Sequence, residues 1–276
     1  MSGIKFHKYK ALGSDFLIVD NRQNTFACNE DVIKTMCERH TGIGAQGLIA
    51  IQSHPSWDFE MSFYNIQGKP GSLCAMAMMC AIQYAIDIKL SLKAEIYFKS
   101  RHGIHSAKSY AEEHAIRIKF HDLDTITKLD ELNYYVDIGV PHHIQFKPNV
   151  YSLDLHKESL DSQGYRYYGD LISFVHCDED RKIHVRTYNR RLELETMSCG
   201  TSAVAAAIAL AFKKKKFKTR EKPNKKVKRV VNRGGEMAVT YDQTGDLEFT
   251  DISVVGRAQT VFQGNYICGL DEYVII

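Results

Sequence analysis

Apolar and polar positions along the chain alternate in many short stretches and stop alternating in two long ones. At 59–65, FEMSFYN sets Phe59, Met61 and Phe63 against Glu60, Ser62 and Tyr64, the period of two that predicts a half-buried strand. IRIKF at 116–120, YYVDIG at 134–139, KIHVRTYN at 182–189 and MAVTYD at 237–242 carry similar patterns. Two segments differ. CAMAMMCAIQYAI at 74–86 has Gln83 as its sole strongly polar residue, and CGTSAVAAAIALAF at 199–212 is polar only at Thr201 and Ser202. A helix that is apolar on every face must be surrounded by protein. Both segments fall short of the roughly 20 residues of a membrane span. The pattern therefore predicts two buried helices, each at the centre of its own shell of strands.

The two helices sit in matching contexts. A strand ends at Tyr64-Asn65, a polar turn follows, and Cys74 opens the first helix. A second strand ends at Tyr188-Asn189, another polar turn follows, and Cys199 opens the second. The two cysteines are 125 residues apart in a chain of 276, close to half its length. This repetition predicts an internal duplication. Its boundary is expected in the polar stretch DLDTITKLDELN, with the halves facing each other about a pseudo-twofold axis.

Composition narrows the class without deciding it. The chain is 44% hydrophobic and 25% charged, which excludes disordered, collagenous and coiled-coil classes. Its net charge of +3 is local in origin. The segment 213–229 holds nine lysines, two arginines and one glutamate; without it, 36 basic and 33 acidic residues become 25 and 32, a net of −7. Phe217 is the one aromatic residue interleaved there, too few for a base-stacking surface, so the segment reads as a solvated basic loop after a helix and argues against a nucleic-acid partner. The start, MSGIKFHKYKALGSDF, lacks a signal-peptide apolar region, and a cytoplasmic protein with no membrane association is expected. Seven scattered cysteines in such a chain point to thiol chemistry or burial and not to a disulfide framework. Cys28, Cys37, Cys80, Cys177 and Cys268 read as small buried or surface residues, and His102, His105 and His114 as solvated side chains without metal-ligand spacing.

A cysteine at a helix start lies at the positive end of the helix dipole beside unpaired N–H groups, which lowers its thiol pKa. Such a thiol can serve as base when ionised and as acid when protonated. Two of them brought together by a pseudo-twofold could flank one carbon, one removing a proton and the other delivering one to the opposite face. That inverts a stereocentre. The same helix starts could clamp the carboxylate beside that carbon, where carbanion charge develops. No Walker or Rossmann glycine pattern and no zinc-type cysteine spacing is present, so neither a cofactor nor a metal is expected.

Several segments resemble the diaminopimelate epimerase family: KFHKYKALGSDFLIVDNR, RHTGIGAQGLI at 39–49, FEMSFYNIQGKPGSLC at 59–74, IGVPHH at 138–143, VRTYNRRLELETMSCGTS at 185–202, RGGEMAV at 233–239 and VVGRAQTVFQG at 254–264. The resemblance runs in order over essentially the whole chain. It implies an α/β (α+β) fold of two similar β-barrel-like halves, each a sheet wrapped around a central helix. The halves would be 1–128 and 129–261, with a last strand at about 262–276 returning to the first. It further implies a homodimer and a small-molecule amino-acid substrate, the L,L-/meso-diaminopimelate pair of lysine and peptidoglycan synthesis. Carried over residue by residue, Cys74 and Cys199 fall on the catalytic thiols, Asn65, Arg190, Gly200 and Thr201 on substrate-binding positions, and His142 on a residue that assists the centre.

The chain departs from the family pattern at several of these places. Where the family has Cys-Gly-Asn-Gly and then an arginine, this chain reads Cys74-Ala75-Met76-Ala77-Met78-Met79. Ser14, Val140 and Leu171 stand at asparagine positions, and Asn189 and Arg191 replace the Glu and Gly of Tyr-Glu-Arg-Gly. These changes leave two alternatives beside diaminopimelate epimerisation: a racemase for a less polar amino acid, or a non-catalytic binding or scaffold member.

Overall fold

A computed structural model describes residues 3–162, 164, 169–214 and 224–267. Cys268, the middle of the basic segment (215–223) and the chain end after 267 lie outside the described residues. The four described helices are α1 (Glu30–Cys37), α2 (Ala75–Asp87), α3 (Leu155–Asp161) and α4 (Gly200–Lys213). The two apolar segments form α2 and α4. Ten of the thirteen residues of α2 are buried, and α4 is buried from Gly200 to Leu210. None of the described helices is long and apolar enough to cross a membrane.

The strands fall into two runs with the same succession of pairings. In the first, Ile4–Ala11 is antiparallel to Ser14–Asp20, which is parallel to Gly47–Gln52. That strand is antiparallel to Phe59–Asn65, which is parallel to Glu95–Ser100; Gly103–Tyr110 and Ala115–Lys119 follow antiparallel. In the second, Asn133–Asp137 is antiparallel to Pro141–Phe146, parallel in turn to Leu171–Cys177. Ile183–Asn189 is antiparallel to that strand and parallel to Asn224–Asn232, and Gly235–Gln243 and Phe249–Gly256 follow antiparallel. Parallel neighbours need a crossover. The short helices α1 and α3 occupy the first crossover of each run, and α2 and α4 the second.

The runs join where Ala115–Lys119 pairs with Phe249–Gly256, placing Ile118 opposite Val254. The chain then returns: Ala258–Tyr266 pairs antiparallel with Ile4–Ala11, Ala258 opposite Ala11 and Tyr266 opposite Ile4. This strand begins earlier than the 262 read from sequence. Helix α2 packs on strands of the first run and on the returning strand, and α4 on strands of the second. One continuous apolar core holds Met76, Ala77 and Ile82 of α2 together with Val204 and Ile208 of α4. Truncating such a residue, for example Ile208→Ala, is expected to cost about 2–5 kcal/mol.

Two local expectations need correction. The basic segment 213–229 is not a single loop: Lys213 ends α4, and Asn224–Asn232 is a strand paired with Gly235–Gln243. Lys213 is also not simply solvated, since its ammonium donates to the Glu131 carbonyl and lies over the Phe146 ring at 5.2 Å. His105 is buried, 2.7 Å from the Ser100 hydroxyl and packed on Phe98, and burial pushes it down to about 4, helped by His121 and His102. Its place on the inward face of Gly103–Tyr110 explains the difference.

Candidate active site

The cysteines cap the two apolar helices with nearly the same backbone. Cys74 has φ −132 and ψ 105, and Cys199 has φ −138 and ψ 108. Each carbonyl accepts the first ladder bond of its helix, from Met78 and Ala203, both at 3.0 Å. The N–H groups of Ala75, Met76 and Ala77, and of Gly200, Thr201 and Ser202, precede those bonds and so lack ladder partners. The helix starts touch: a side chain at Gly200 would come within 2.6 Å of the Ala75 methyl and 3.2 Å of Met76 Cε. Two positive helix ends therefore converge beside two thiols.

Both cysteines line one cleft of about 320 Å³. Ser14, Phe63, Asn65 and Lys69 from the first run of strands and its loops line it together with Val140, Asp170, Leu171 and Arg191 from the second, and with Gly200 and Thr201 at the start of α4. The alternation of Phe59–Asn65 breaks here, because Phe63 faces the cleft and is only half-buried. The loop before Cys199 is pinned by Ser198, which donates to the Leu12 carbonyl at 2.5 Å. Gly13, at φ +78, could carry no side chain there, since a Cβ would stand 2.7 Å from the Gly234 backbone. That turn delivers buried Ser14 to the cleft.

The thiols are free and differ in surroundings. Cys199 Sγ accepts from the Ser202 backbone N–H at 3.4 Å and lies 3.1 Å from the Thr201 hydroxyl. Cys74 makes no side-chain cap bond. Burial pushes its thiol up to about 11; neighbouring Cys199 adds to the rise, while the Ala77 and Met76 N–H groups oppose it. Cys80, six residues further along α2, is fully buried and raised well above the usual thiol range by burial.

Among known proteins, the sequence model described as Diaminopimelate epimerase matches residues 6–122. Diaminopimelate epimerase of Flavobacterium psychrophilum is 33% identical over 94% of this chain and 99% of its own length. The chain belongs to the diaminopimelate epimerase family. The Chlorobaculum tepidum diaminopimelate epimerase is 29% identical over 91% of this chain and 97% of its own length. Among solved structures, a Bacillus anthracis phenazine biosynthesis protein of the PhzF family superposes with TM-score 0.74 at 16% identity, covering 97% of this chain and all of that one. A hydroxyproline epimerase from Agrobacterium vitis, with trans-4-hydroxy-L-proline bound, superposes with TM-score 0.65 at 10% identity over 96% and 91%. At these identities the likeness is one of fold: a strand-rich mixed α/β fold with few helices.

In this member of the diaminopimelate epimerase family, Cys74, Cys199, Asn65, Gly200 and Thr201 all line the one cleft. Asn65 is partly committed already: its Oδ1 accepts from the N–H groups of Gln67 at 2.9 Å and Lys69 at 3.1 Å, closing the turn before Cys74. Asn189 does the same before Cys199, accepting from Arg191 and Leu192 at 3.0 Å each. The repeated Tyr-Asn pair is thus a repeated turn, and Asn189 holds backbone where the family pattern has Glu.

Arg190 and His142 are not in the cleft wall. Arg190 donates to the Gly169 carbonyl at 3.0 Å and the Ser162 carbonyl at 3.4 Å, and contacts His143 at 3.3 Å; burial lowers its pKa. Arg191 takes the place in the cleft that sequence assigned to its neighbour. His142 is fully buried behind α4, with Nδ1 3.2 Å from the Ser202 hydroxyl, and burial alone pushes it down to about 3. It stands one residue removed from Cys199, through Ser202. Sequence reading missed Ser202, although its place three residues after the helix cap is the signal for a capping donor. Among the described residues, no group of three or more His, Cys, Asp or Glu could hold a metal ion.

Proposed function

We propose that this chain is an isomerase that inverts the Cα stereocentre of an amino acid by proton transfer between Cys74 and Cys199. The observation that carries this reading is the pair of thiols capping two touching helices within one cleft. A substrate α-carboxylate set against the two helix starts would meet N–H donors from both, in the favourable field of two dipoles. As the Cα–H bond breaks, charge moves onto that carboxylate, and donors already in place stabilise it without reorganisation. One sulfur takes the proton, and the other, being protonated, returns one to the opposite face. The lobes that flank the cleft would be the halves 1–128 and 129–261, less the strand from Ala258, which returns to the first; the repeated pairing pattern supports this division.

The names of the relatives favour L,L-/meso-diaminopimelate as substrate. Lys69 and Arg191 would face its distal carboxylate and Asp170 its distal ammonium. A second reading has its own observation. Val140, Leu171 and Phe63 line the same cleft, and unmatched charge against such groups is costly to bury. This favours a racemase for a less polar amino acid. Chiral chromatography after incubation with L,L-diaminopimelate and with a panel of single L-amino acids separates the two. Formation of the meso isomer supports the first reading. Racemisation confined to apolar members of the panel replaces it with the second.

A further inference from the structure

The two runs of strands build the same hairpin and finish it differently. In the first, Ser100 stands opposite Gly103 and Phe98 opposite His105; in the second, Asn232 stands opposite Gly235 and Val230 opposite Met237. Asn232 is thus the counterpart of Ser100, and Met237 of His105. His105 bonds the Ser100 hydroxyl at 2.7 Å, whereas Met237 offers only a thioether, a weak acceptor. Asn232 is 8% exposed, and its Nδ2 has no hydrogen-bond partner among the described residues. A buried donor left unpaired is costly, and such a group calls for an explanation.

Asn232 lines a cavity of about 300 Å³ that shares no lining residue with the cysteine cleft. Tyr151, His184, Arg186 and Arg233 line it with three valines, and among the described residues no acid does. Its polar groups are held in place. Arg186 grips the Glu195 carboxylate at 2.8 and 2.9 Å and donates to the Val150 and Leu153 carbonyls at 2.9 Å each. Arg233 holds the same carboxylate through Nη1 at 2.9 Å, so two guanidinium groups share one negative charge. The Arg233 side chain is half exposed, and its Nε and Nη2 are uncommitted. His184 Nε2 donates to Asp178 at 2.7 Å, which leaves Nδ1 to accept from the Tyr151 hydroxyl. That bond steadies an exposed aromatic ring.

We propose that this cavity binds a small organic anion built on a flat ring, with its carboxylate or phosphate on Arg233, its ring against Tyr151 and an acceptor atom on Asn232 Nδ2. A guanidinium edge matches either head group, since both present paired oxygens. An aromatic face and three valines suit a ring, and a fixed amide donor selects an acceptor on it. The volume sits at the small end of ligand pockets, the size of a nucleoside monophosphate or an aryl carboxylate. The site stands apart from the reaction assigned to Cys74 and Cys199 and does not depend on it.

The test is isothermal titration calorimetry on the full-length, reduced chain, with adenosine monophosphate and indole-3-acetate as probes that join a ring to an anion. At least one is expected to bind saturably. Adenosine and inorganic phosphate each carry one part alone and should bind at least about tenfold more weakly. Preference for adenosine monophosphate assigns a phosphate head, and preference for indole-3-acetate a carboxylate. Arg233→Gln should weaken the bound probe at least about tenfold, with Arg186 still holding Glu195. Asn232→Leu should weaken it too, yet leave the urea midpoint equal or higher, because it removes an unpaired buried donor. Arg191→Ala, in the cysteine cleft, should leave the affinity unchanged. Absence of saturable binding by either probe at millimolar concentration would overturn the proposal. So would adenosine or phosphate binding as tightly as the joined probe, an unmoved affinity in Arg233→Gln, or a lowered urea midpoint in Asn232→Leu.

Discussion

Gly200 and Ala75 touch across the two helix starts, so closely that a methyl added to Gly200 would stand 2.6 Å from the methyl of Ala75. The contact brings together the N–H groups that follow both cysteines. It also leaves no slack, because Met76 Cε is 3.2 Å from the same point. Gly200→Ala must push α2 and α4 apart at their starts. The expected result is a loss of about 1–3 kcal/mol, read from urea unfolding, together with a loss of turnover. Ala75→Gly removes the opposing methyl, and the double variant should recover most of that stability.

Arg190 and Arg191 are adjacent in sequence and do different work. Arg190 ties Gly169, Ser162 and His143 together away from the cleft, whereas Arg191 lines the cleft itself. Arg190→Ala is expected to cost about 1–3 kcal/mol in unfolding experiments, since it leaves the part-buried Gly169 and Ser162 carbonyls without a charged donor. Arg191→Ala should change stability by less than about 0.5 kcal/mol, as surface substitutions usually do, and raise KM. The opposite pattern, a KM effect confined to Arg190, would restore the assignment read from sequence.

Three buried histidines set the acid side of the stability profile. Burial pushes His142 down from 6.5 to about 3 and His105 and His143 to about 4; His121 and His102 add to the shift at His105, and Arg190 to that at His143. In each case the unfolded chain takes up a proton first as pH falls below 6.5, so the stability present above that value drains away toward pH 4. Urea midpoints should therefore fall steadily between pH 6.5 and 4.5. His105→Gln, which keeps a side-chain group able to bond Ser100, should flatten part of that slope. An identical slope in the variant would contradict the buried neutral histidine.

Much of the fold was legible because the decisive signals are local. Helices α2 and α4 are apolar on every face, and strands such as Phe59–Asn65 and Ile183–Asn189 alternate with period two. Helix α1 was legible too but unread: Asn29 caps it through the Asp31 and Val32 N–H groups, with Glu30 and Asp31 in its first turn. The parallel pairings could not be read, since they join strands separated by whole crossovers. The site divides similarly. Both cysteines declared themselves by standing at helix starts, whereas the arginines did not. The strand ends at Asn189, and Arg190 and Arg191 lie in the turn that the Asn189 side chain closes. Side-chain directions there follow the turn and not the period of two, so the alternation of the strand does not tell which arginine faces the cleft.

The most direct measurement of the central claim is solvent deuterium incorporation. The reduced protein is incubated with L,L-diaminopimelate, and with an amino-acid panel, in deuterated water while the Cα–H signal is followed by proton NMR. Two-thiol proton transfer predicts steady loss of that signal for at least one substrate, and its abolition in both Cys74→Ser and Cys199→Ser. Persistence of every Cα–H signal with a folded protein, or exchange that survives removal of either thiol, would contradict it.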